Sequence, residues 1–164
     1  MDWIEKQSAN RESEDHERAA VGKLAAAGQS CGGAQVLYVA SDPRVKSSIM
    51  FNSGIGNMTM AGASRESLAA LPAPIGYIVG GESDVATANA RLDYERITDV
   101  PTVLADLENG GHMGTFGAEF GGSFARIALD WLDWQLKGDR SRESVFLRGE
   151  LAAYPGWKVR ARNF

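Results

Sequence analysis

One serine of the chain lies in a sequence context that could make it a nucleophile. The pentapeptide Gly28-Gln29-Ser30-Cys31-Gly32 falls between a predicted strand and a predicted helix, which is the setting of a nucleophile elbow. At such a turn the serine projects above the strand end, and the glycines at 28 and 32 let neighbouring backbone pass without a Cβ clash. We therefore predict Ser30 as the nucleophile, with Gln29 in its elbow and the backbone N–H of Cys31, at the helix start, as an oxyanion donor. A glycine-rich turn with an incidental serine is the alternative interpretation.

A serine hydroxyl needs a base because it is a poor nucleophile near neutral pH. The chain has two histidines. His16 lies in a mixed-charge stretch ahead of the elbow, where a solvated surface position is expected. His112 lies in a glycine-rich loop, residues 109–117, which can reach the carboxyl ends of the strands, where ligands bind in open α/β sheets. We predict His112 as the base, with a loop histidine of no catalytic role as the alternative.

The base in turn needs a carboxylate that holds its tautomer and stabilises the imidazolium. Asp84 lies in the loop that follows a predicted buried strand, 75–79, and between Ser30 and His112 in the chain. We therefore predict Asp84 as the acid. Glu82, two residues away, and Asp106, at the end of the next strand, stay open as alternatives.

The elements that must position these side chains alternate along the chain. Strands are predicted at 23–27, 45–51, 75–79 and 101–105, and helices at 33–41, 64–71, 85–96 and 119–137. Alternating strands and helices form right-handed βαβ units, so the sequence predicts an α/β fold with a short parallel sheet of about four strands flanked by helices. Residues 1–20 are predicted to be a polar helical lead-in, and 1–164 a single domain. An apolar stripe is predicted along the last helix, at Phe120, Phe124, Ile127, Trp131 and Trp134.

Composition and charge exclude several other classes of function. No apolar run approaches the roughly 20 residues that a membrane-spanning helix needs, and the first residues lack a signal-peptide pattern. The formal net charge of −4 argues against nucleic acid as a partner, because its binding needs clustered Lys and Arg. The single cysteine, Cys31, excludes an internal disulfide and a cysteine-based metal cluster, and no metal site is predicted. The compartment stays open between the cytoplasm and a fragment of a secreted protein.

Longer motifs extend the pattern beyond the pentapeptide. They are Gly28-Gln29-Ser30-Cys31-Gly32-Gly33, Asp42-Pro43-Arg44-Val45, Gly80-Gly81-Glu82-Ser83-Asp84 and Gly110-Gly111-His112-Met113-Gly114-Thr115-Phe116, with the helix end at 131–139 beside them. With these motifs, residues 28 to 149 resemble the dienelactone-hydrolase-like and cutinase-like serine esterases of the α/β-hydrolase superfamily, whose chain order is also serine, acid, histidine. The resemblance implies ester hydrolysis through an acyl-enzyme without a cofactor, with Ser30, Asp84 and His112 as the triad.

One departure from that family is large. Its members normally carry several strands before the nucleophile strand, whereas only about twenty residues precede it here. The resemblance therefore predicts a truncated α/β-hydrolase fold in which the second oxyanion donor and one wall of the substrate pocket are missing. The strand at 23–27 would then form an unprotected sheet edge, so we expect a homo-oligomer or a separate N-terminal piece that completes the fold.

Two hypotheses of function follow from these residues. The first is a serine carboxylic-ester hydrolase for a small-molecule ester, and its pocket would be lined by Gln29, Ile55, Met58 and Met113. The second is a catalytically weak or inactive truncated fold that acts as an interaction module or needs a partner to complete the site. A fluorophosphonate probe separates the two, because only an activated serine is labelled.

Overall fold

A computed structural model describes residues 1–148 and 154–164 of the chain. Within these ranges five strands form one sheet: β1 Leu24–Gln29, β2 Val45–Phe51, β3 Ile75–Val79, β4 Thr102–Leu107 and β5 Trp157–Arg162. The strand order is β1-β2-β3-β4-β5, with the first four parallel and β5 antiparallel to β4. The α/β fold with a mostly parallel sheet is thus confirmed. The sequence analysis missed β5, although its residues alternate between apolar and basic types as in a half-buried edge strand.

Helices cover both faces of this sheet. The helices are α1 Asp2–Ala9, α2 Cys31–Val39, α3 Thr87–Arg96, α4 Gly122–Lys137 and α5 Glu143–Leu147, and the segment Arg65–Ala70 is a 3₁₀ helix. Of these, α2, α3 and the 3₁₀ helix lie on one face, and α4 and α5 lie on the other. Within 1–148 and 154–164 there is no helix of the length and hydropathy that crossing a bilayer would require.

Among the predicted helices, the lead-in and the last helix lose the most residues in the structure. In the lead-in, 1–20, only α1 is helical, because Asn10 and Ser13 accept hydrogen bonds from backbone N–H groups two residues ahead and so favour turns. The last helix begins at Gly122 and not at 119, since Gly121 and Gly122 both have a positive φ. Phe120 was therefore wrongly placed on the apolar stripe, and its side chain is 91% exposed.

The core lies in two layers, one on each face of the sheet. On one face α2, α3 and the 3₁₀ helix pack against side chains such as Met50 and Tyr77. On the other face α4 and α5 pack against Ile49 and Ile78, around the buried Trp131. The Trp131 indole Nε1–H donates to Ser47 Oγ at 2.7 Å, so the largest buried side chain also satisfies its polar atom.

The two edges of the sheet differ in character. β5 carries Lys158, Arg160 and Arg162 at alternate positions, and charges of this kind protect an edge from pairing with other chains. β1 carries no charge, and both Ala25 and Ala27 are exposed. The strand that leads to Ser30 is therefore the less protected edge.

Candidate active site

Ser30 occupies a strained turn between β1 and α2. Its backbone has φ 52° and ψ −118°, a region that residues with a Cβ rarely enter. The turn is held from both sides, because Ser30 N–H donates to the Phe51 carbonyl at 3.1 Å and the Ser30 carbonyl accepts from Gly33 N–H at 2.9 Å and Ser53 Oγ–H at 2.8 Å. The surrounding structure thus keeps the side chain directed away from the strand end.

The glycines of the elbow differ in how much the turn depends on them. A Cβ on Gly28 would lie 2.3 Å from the Gly32 carbonyl oxygen, and a Cβ on Gly33 would lie 2.2 Å from Ser53 Oγ. A Cβ on Gly32 would meet nothing within 4 Å. The second close approach is therefore at Gly33, one residue beyond the glycine that the pentapeptide pattern indicated.

The structure brings Ser30, His112 and Asp84 together at the carboxyl end of the sheet. His112 Nε2 lies 2.9 Å from Ser30 Oγ, and His112 Nδ1 lies 2.7 Å from Asp84 Oδ1. Ser30 follows β1, Asp84 follows β3 and His112 follows β4. The carboxyl ends of these parallel strands meet at one edge of the sheet. With a proton on Nδ1, donated to Asp84, Nε2 is free to accept the serine proton.

Asp84 is buried and fully hydrogen-bonded. Oδ2 accepts from Asn52 Nδ2–H at 2.9 Å and from Gly80 N–H at 3.0 Å, and Oδ1 accepts from Ala86 N–H at 3.0 Å. Burial by itself raises the pKa of Asp84, but the hydrogen bonds from Asn52, Ala86, His112 and Gly80 outweigh it and hold the pKa below the usual value of an aspartate, 3.8. The carboxylate is therefore ionised at neutral pH despite its burial.

The loops that carry the acid and the base touch through their backbones. Gly111 N–H donates to the Gly80 carbonyl at 2.8 Å, and a Cβ on Gly80 would lie 2.2 Å from the Gly111 carbonyl oxygen. Gln29 Nε2–H donates to the His112 carbonyl at 3.0 Å. The predicted elbow residue Gln29 thus also holds the histidine loop.

The alternative acids and the other histidine lie elsewhere. Glu82 and Asp106 both bind the guanidinium of Arg91. His16 Nδ1 lies 2.9 Å from the Ser8 carbonyl oxygen, in the turn that follows α1. None of these contacts joins Glu82, Asp106 or His16 to the serine.

A cavity of about 180 Å³ opens beside Ser30 and His112. Its remaining walls come from the segments after β2 and β3 and are mostly small or apolar: Asn52, Ser53, Gly54, Met58, Met60, Val85, Ala86 and Asn89. Of the predicted lining residues, Met58 belongs to this wall. Ile55 is 1% exposed and packs in the core, whereas Gln29 and the 61% exposed Met113 lie outside the cavity wall.

The predicted oxyanion donor lies at the start of a helix. Cys31 is the first residue of α2, so its N–H has no acceptor within the helix and stays available to an anion. In the part of the chain that the structure describes, no three His, Cys, Asp or Glu side chains are grouped as metal ligands.

Sequence reasoning missed one residue of the site, Asn52. It is fully buried directly after β2, and it contacts Asp84 Oδ2 and the Gly111 carbonyl. The signal was a polar residue at the carboxyl end of an apolar strand, ahead of Ser53 and Gly54. This position places Asn52 at the same edge as the predicted triad.

Comparisons with known proteins find similar folds among solved structures. No family model matches the sequence, and no curated protein matches it significantly. Among solved structures, 75 chains are similar. One is the esterase domain of a Rhodothermus marinus protein, with a TM-score of 0.54 at 15% identity, over 69% of this chain and 59% of that chain.

At this identity the likeness shows the fold alone. The chain shares an α/β architecture with an esterase domain and spans 59% of that domain's chain. Membership of the dienelactone-hydrolase-like or cutinase-like group is a finer statement and stays a prediction.

Proposed function

We propose that this chain is a serine carboxylic-ester hydrolase that works through an acyl-enzyme, with Ser30 as nucleophile, His112 as base and Asp84 as acid. The observation that carries the proposal is the continuous hydrogen-bonded series from Ser30 Oγ through both nitrogens of the His112 ring to Asp84 Oδ1, at 2.9 and 2.7 Å. The strained backbone of Ser30 supports it, since strain of this kind clusters at functional residues.

The proposed reaction has two halves. Ser30 Oγ attacks the ester carbonyl carbon while His112 Nε2 takes the hydroxyl proton, and the oxyanion accepts a hydrogen bond from Cys31 N–H. The C–O bond to the alcohol then breaks, and His112 returns the proton to the leaving oxygen. A water molecule attacks the acyl-enzyme in the same way and releases the carboxylic acid and free Ser30.

The cavity supports a small acyl group. It is open to solvent on one side, and the residues that line it enclose about 180 Å³, which is room for a short acyl chain. The thioether and aliphatic groups of Met58, Met60 and Val85 offer apolar contact to a short alkyl chain. We therefore propose esters of short-chain acids as the preferred substrates.

One observation favours the second candidate, a catalytically weak fold. β1 is an edge strand, so no neighbouring strand of the described chain flanks Ser30 on that side. Among the described residues, Cys31 N–H is the one oxyanion donor that we assign. Removal of one such donor from a serine protease lowers turnover by about 10²–10³, so a site with Cys31 alone would be slow.

The experiment compares labelling by a fluorophosphonate probe with p-nitrophenyl acetate turnover in single variants. Ser30→Ala is expected to abolish both, and His112→Ala to lower turnover nearly as far, because triad members act as a unit. Asp84→Asn is expected to lower turnover by about 10⁴, since the wrong histidine tautomer then prevails. Glu82→Gln and His16→Ala are the matched controls and should stay near the native rate.

Three outcomes separate the candidates. Labelling at Ser30 with measurable turnover supports the esterase. Labelling without turnover supports the weak fold that needs a partner. Turnover that survives in Ser30→Ala, or that falls in Glu82→Gln and not in Asp84→Asn, contradicts the assigned roles.

A further inference from the structure

Asn52 lies between the strand of the nucleophile and the strand of the acid. Its backbone N–H donates to the Ile78 carbonyl of β3 at 2.9 Å, and the preceding carbonyl, that of Phe51, accepts from Ser30 N–H. Its φ is 42°, a left-handed conformation that asparagine adopts more readily than other residues with a Cβ. The backbone therefore fixes the side chain at the junction of β1, β2 and β3.

Each polar atom of the Asn52 side chain has a partner. Nδ2 donates to Asp84 Oδ2 at 2.9 Å and to the Gly111 carbonyl at 3.1 Å, and Oδ1 accepts from Thr115 Oγ1–H. The opposite orientation of the amide would set its oxygen against a carboxylate and a carbonyl, both of which only accept. One buried carboxamide thus joins the acid to the residues on both sides of His112.

Two side chains hold the loop of His112, residues 109–117, by hydrogen bonds to two consecutive backbone carbonyls. Asn52 binds the carbonyl of Gly111, and Gln29 binds the carbonyl of His112. Gln29 is part-buried at the elbow, whereas Asn52 is fully buried and also reaches Asp84. Asn52 is therefore the side chain that contacts the acid and the loop of the base at once.

We propose that Asn52 is a positioning residue of this site, which holds the Asp84 carboxylate and the His112 loop in the relative orientation that the Nδ1–H hydrogen bond needs. The inference rests on the proposed function of the site. The role proposed for Asn52 differs from a purely structural role because it concerns one hydrogen bond, between His112 Nδ1 and Asp84 Oδ1. A misplacement of about 1 Å at a catalytic group lowers turnover by about 10².

The test follows the His112 Nδ1–H proton by NMR in the full chain. The chain has two histidines, so His112→Ala assigns the downfield resonance. Asn52→Gly keeps the left-handed backbone and removes the amide, and Asn52→Asp keeps the shape and replaces the donor by an acceptor. Asn109→Gly and Asn109→Asp are matched controls, because Asn109 is also left-handed, at φ 60°, but is exposed.

The native chain and both Asn109 variants are expected to show the Nδ1–H resonance. Both Asn52 variants should lose it or broaden it by exchange while retaining cooperative thermal unfolding, and turnover should fall by about 10². A resonance that persists unchanged in a folded Asn52 variant overturns the inference. So does the failure of both Asn52 variants to fold, which would make the role structural.

Labelling and turnover separate this inference from the proposed function. If the native chain shows the resonance but is neither labelled nor active on esters, the proposed function fails while the Asn52 variants still test the role of Asn52. If the native chain and the Asn52 variants both show the resonance, only the role of Asn52 fails.

Discussion

Two single substitutions, Gly28→Ala and Gly32→Ala, each add one methyl group to the elbow. We expect the first to lower the free energy of unfolding and the second to leave it unchanged or raise it. In Gly28→Ala the new Cβ would lie 2.3 Å from the Gly32 carbonyl oxygen and 2.4 Å from its carbon. Because those atoms are backbone, no rotamer change relieves the clash. In Gly32→Ala the new Cβ meets nothing within 4 Å, and the residue lies in the first turn of α2.

The expected change in the free energy of unfolding follows from these distances. To reach even an unusually close contact of 3.0 Å, the start of α2 must move away from β1 by about 0.7 Å. Overpacking of this kind costs about 1–3 kcal/mol, and an obstacle made of backbone places Gly28→Ala near the upper end. Gly32→Ala should be neutral or more stable by up to about 1 kcal/mol, because alanine is the better helix former. The two variants should therefore differ by about 3–4 kcal/mol in the free energy of unfolding.

Urea unfolding followed by tryptophan fluorescence measures this difference. For a chain of this size 1 kcal/mol corresponds to about 2–4 °C in Tm, so Gly28→Ala should melt roughly 6–12 °C below the native chain. Turnover should fall with it, since Cys31 N–H moves with the start of α2. Equal stability of the two variants, or a less stable Gly32→Ala, would refute the assignment of Gly28 as the close approach.

Two further predictions concern pH and assembly. Burial raises the pKa of Asp93 from 3.8 to about 6, against the backbone hydrogen bonds from Ile55 and Gly56, which lower it. The folded chain therefore binds this proton more tightly than the unfolded chain. The contribution of Asp93 to the unfolding free energy is thus largest below about pH 4 and falls by about 3 kcal/mol as the pH rises to about 6. Asp93→Asn should lack this decline, and parallel pH–stability curves for the two chains would contradict it. For assembly, light scattering at micromolar concentration is expected to give a mass above the 17.6 kDa of one chain, because the β1 edge carries no charge. Ala27→Lys should shift the mass toward the monomer, and a native monomer that unfolds cooperatively would refute the expected association.

The sequence alone was sufficient to predict those features that depend on a local pattern of residues. The strands β2 and β3 were predicted at their observed bounds, because apolar residues fill β3 and the second half of β2, as expected of strands covered on both faces. Ser30, Asp84 and His112 were selected because each follows a strand, and the carboxyl ends of parallel strands meet at one edge. The alternation of strands and helices was likewise enough to predict the α/β class.

Only the tertiary structure decided which of these residues touch. Asn52 and Asp84 are 32 residues apart in the chain, and their contact depends on β2 lying beside β3. Gly33 and not Gly32 needs to lack a Cβ because Ser53, from the segment after β2, packs against it. Ile55 belongs to the core and Met58 to the cavity wall, although they are neighbours in the same loop. A local pattern of apolar residues indicates whether a segment is a helix or a strand. Contacts between loops depend instead on the order of the strands in the sheet and on the path of the backbone, and no short stretch of sequence encodes that order or that path alone.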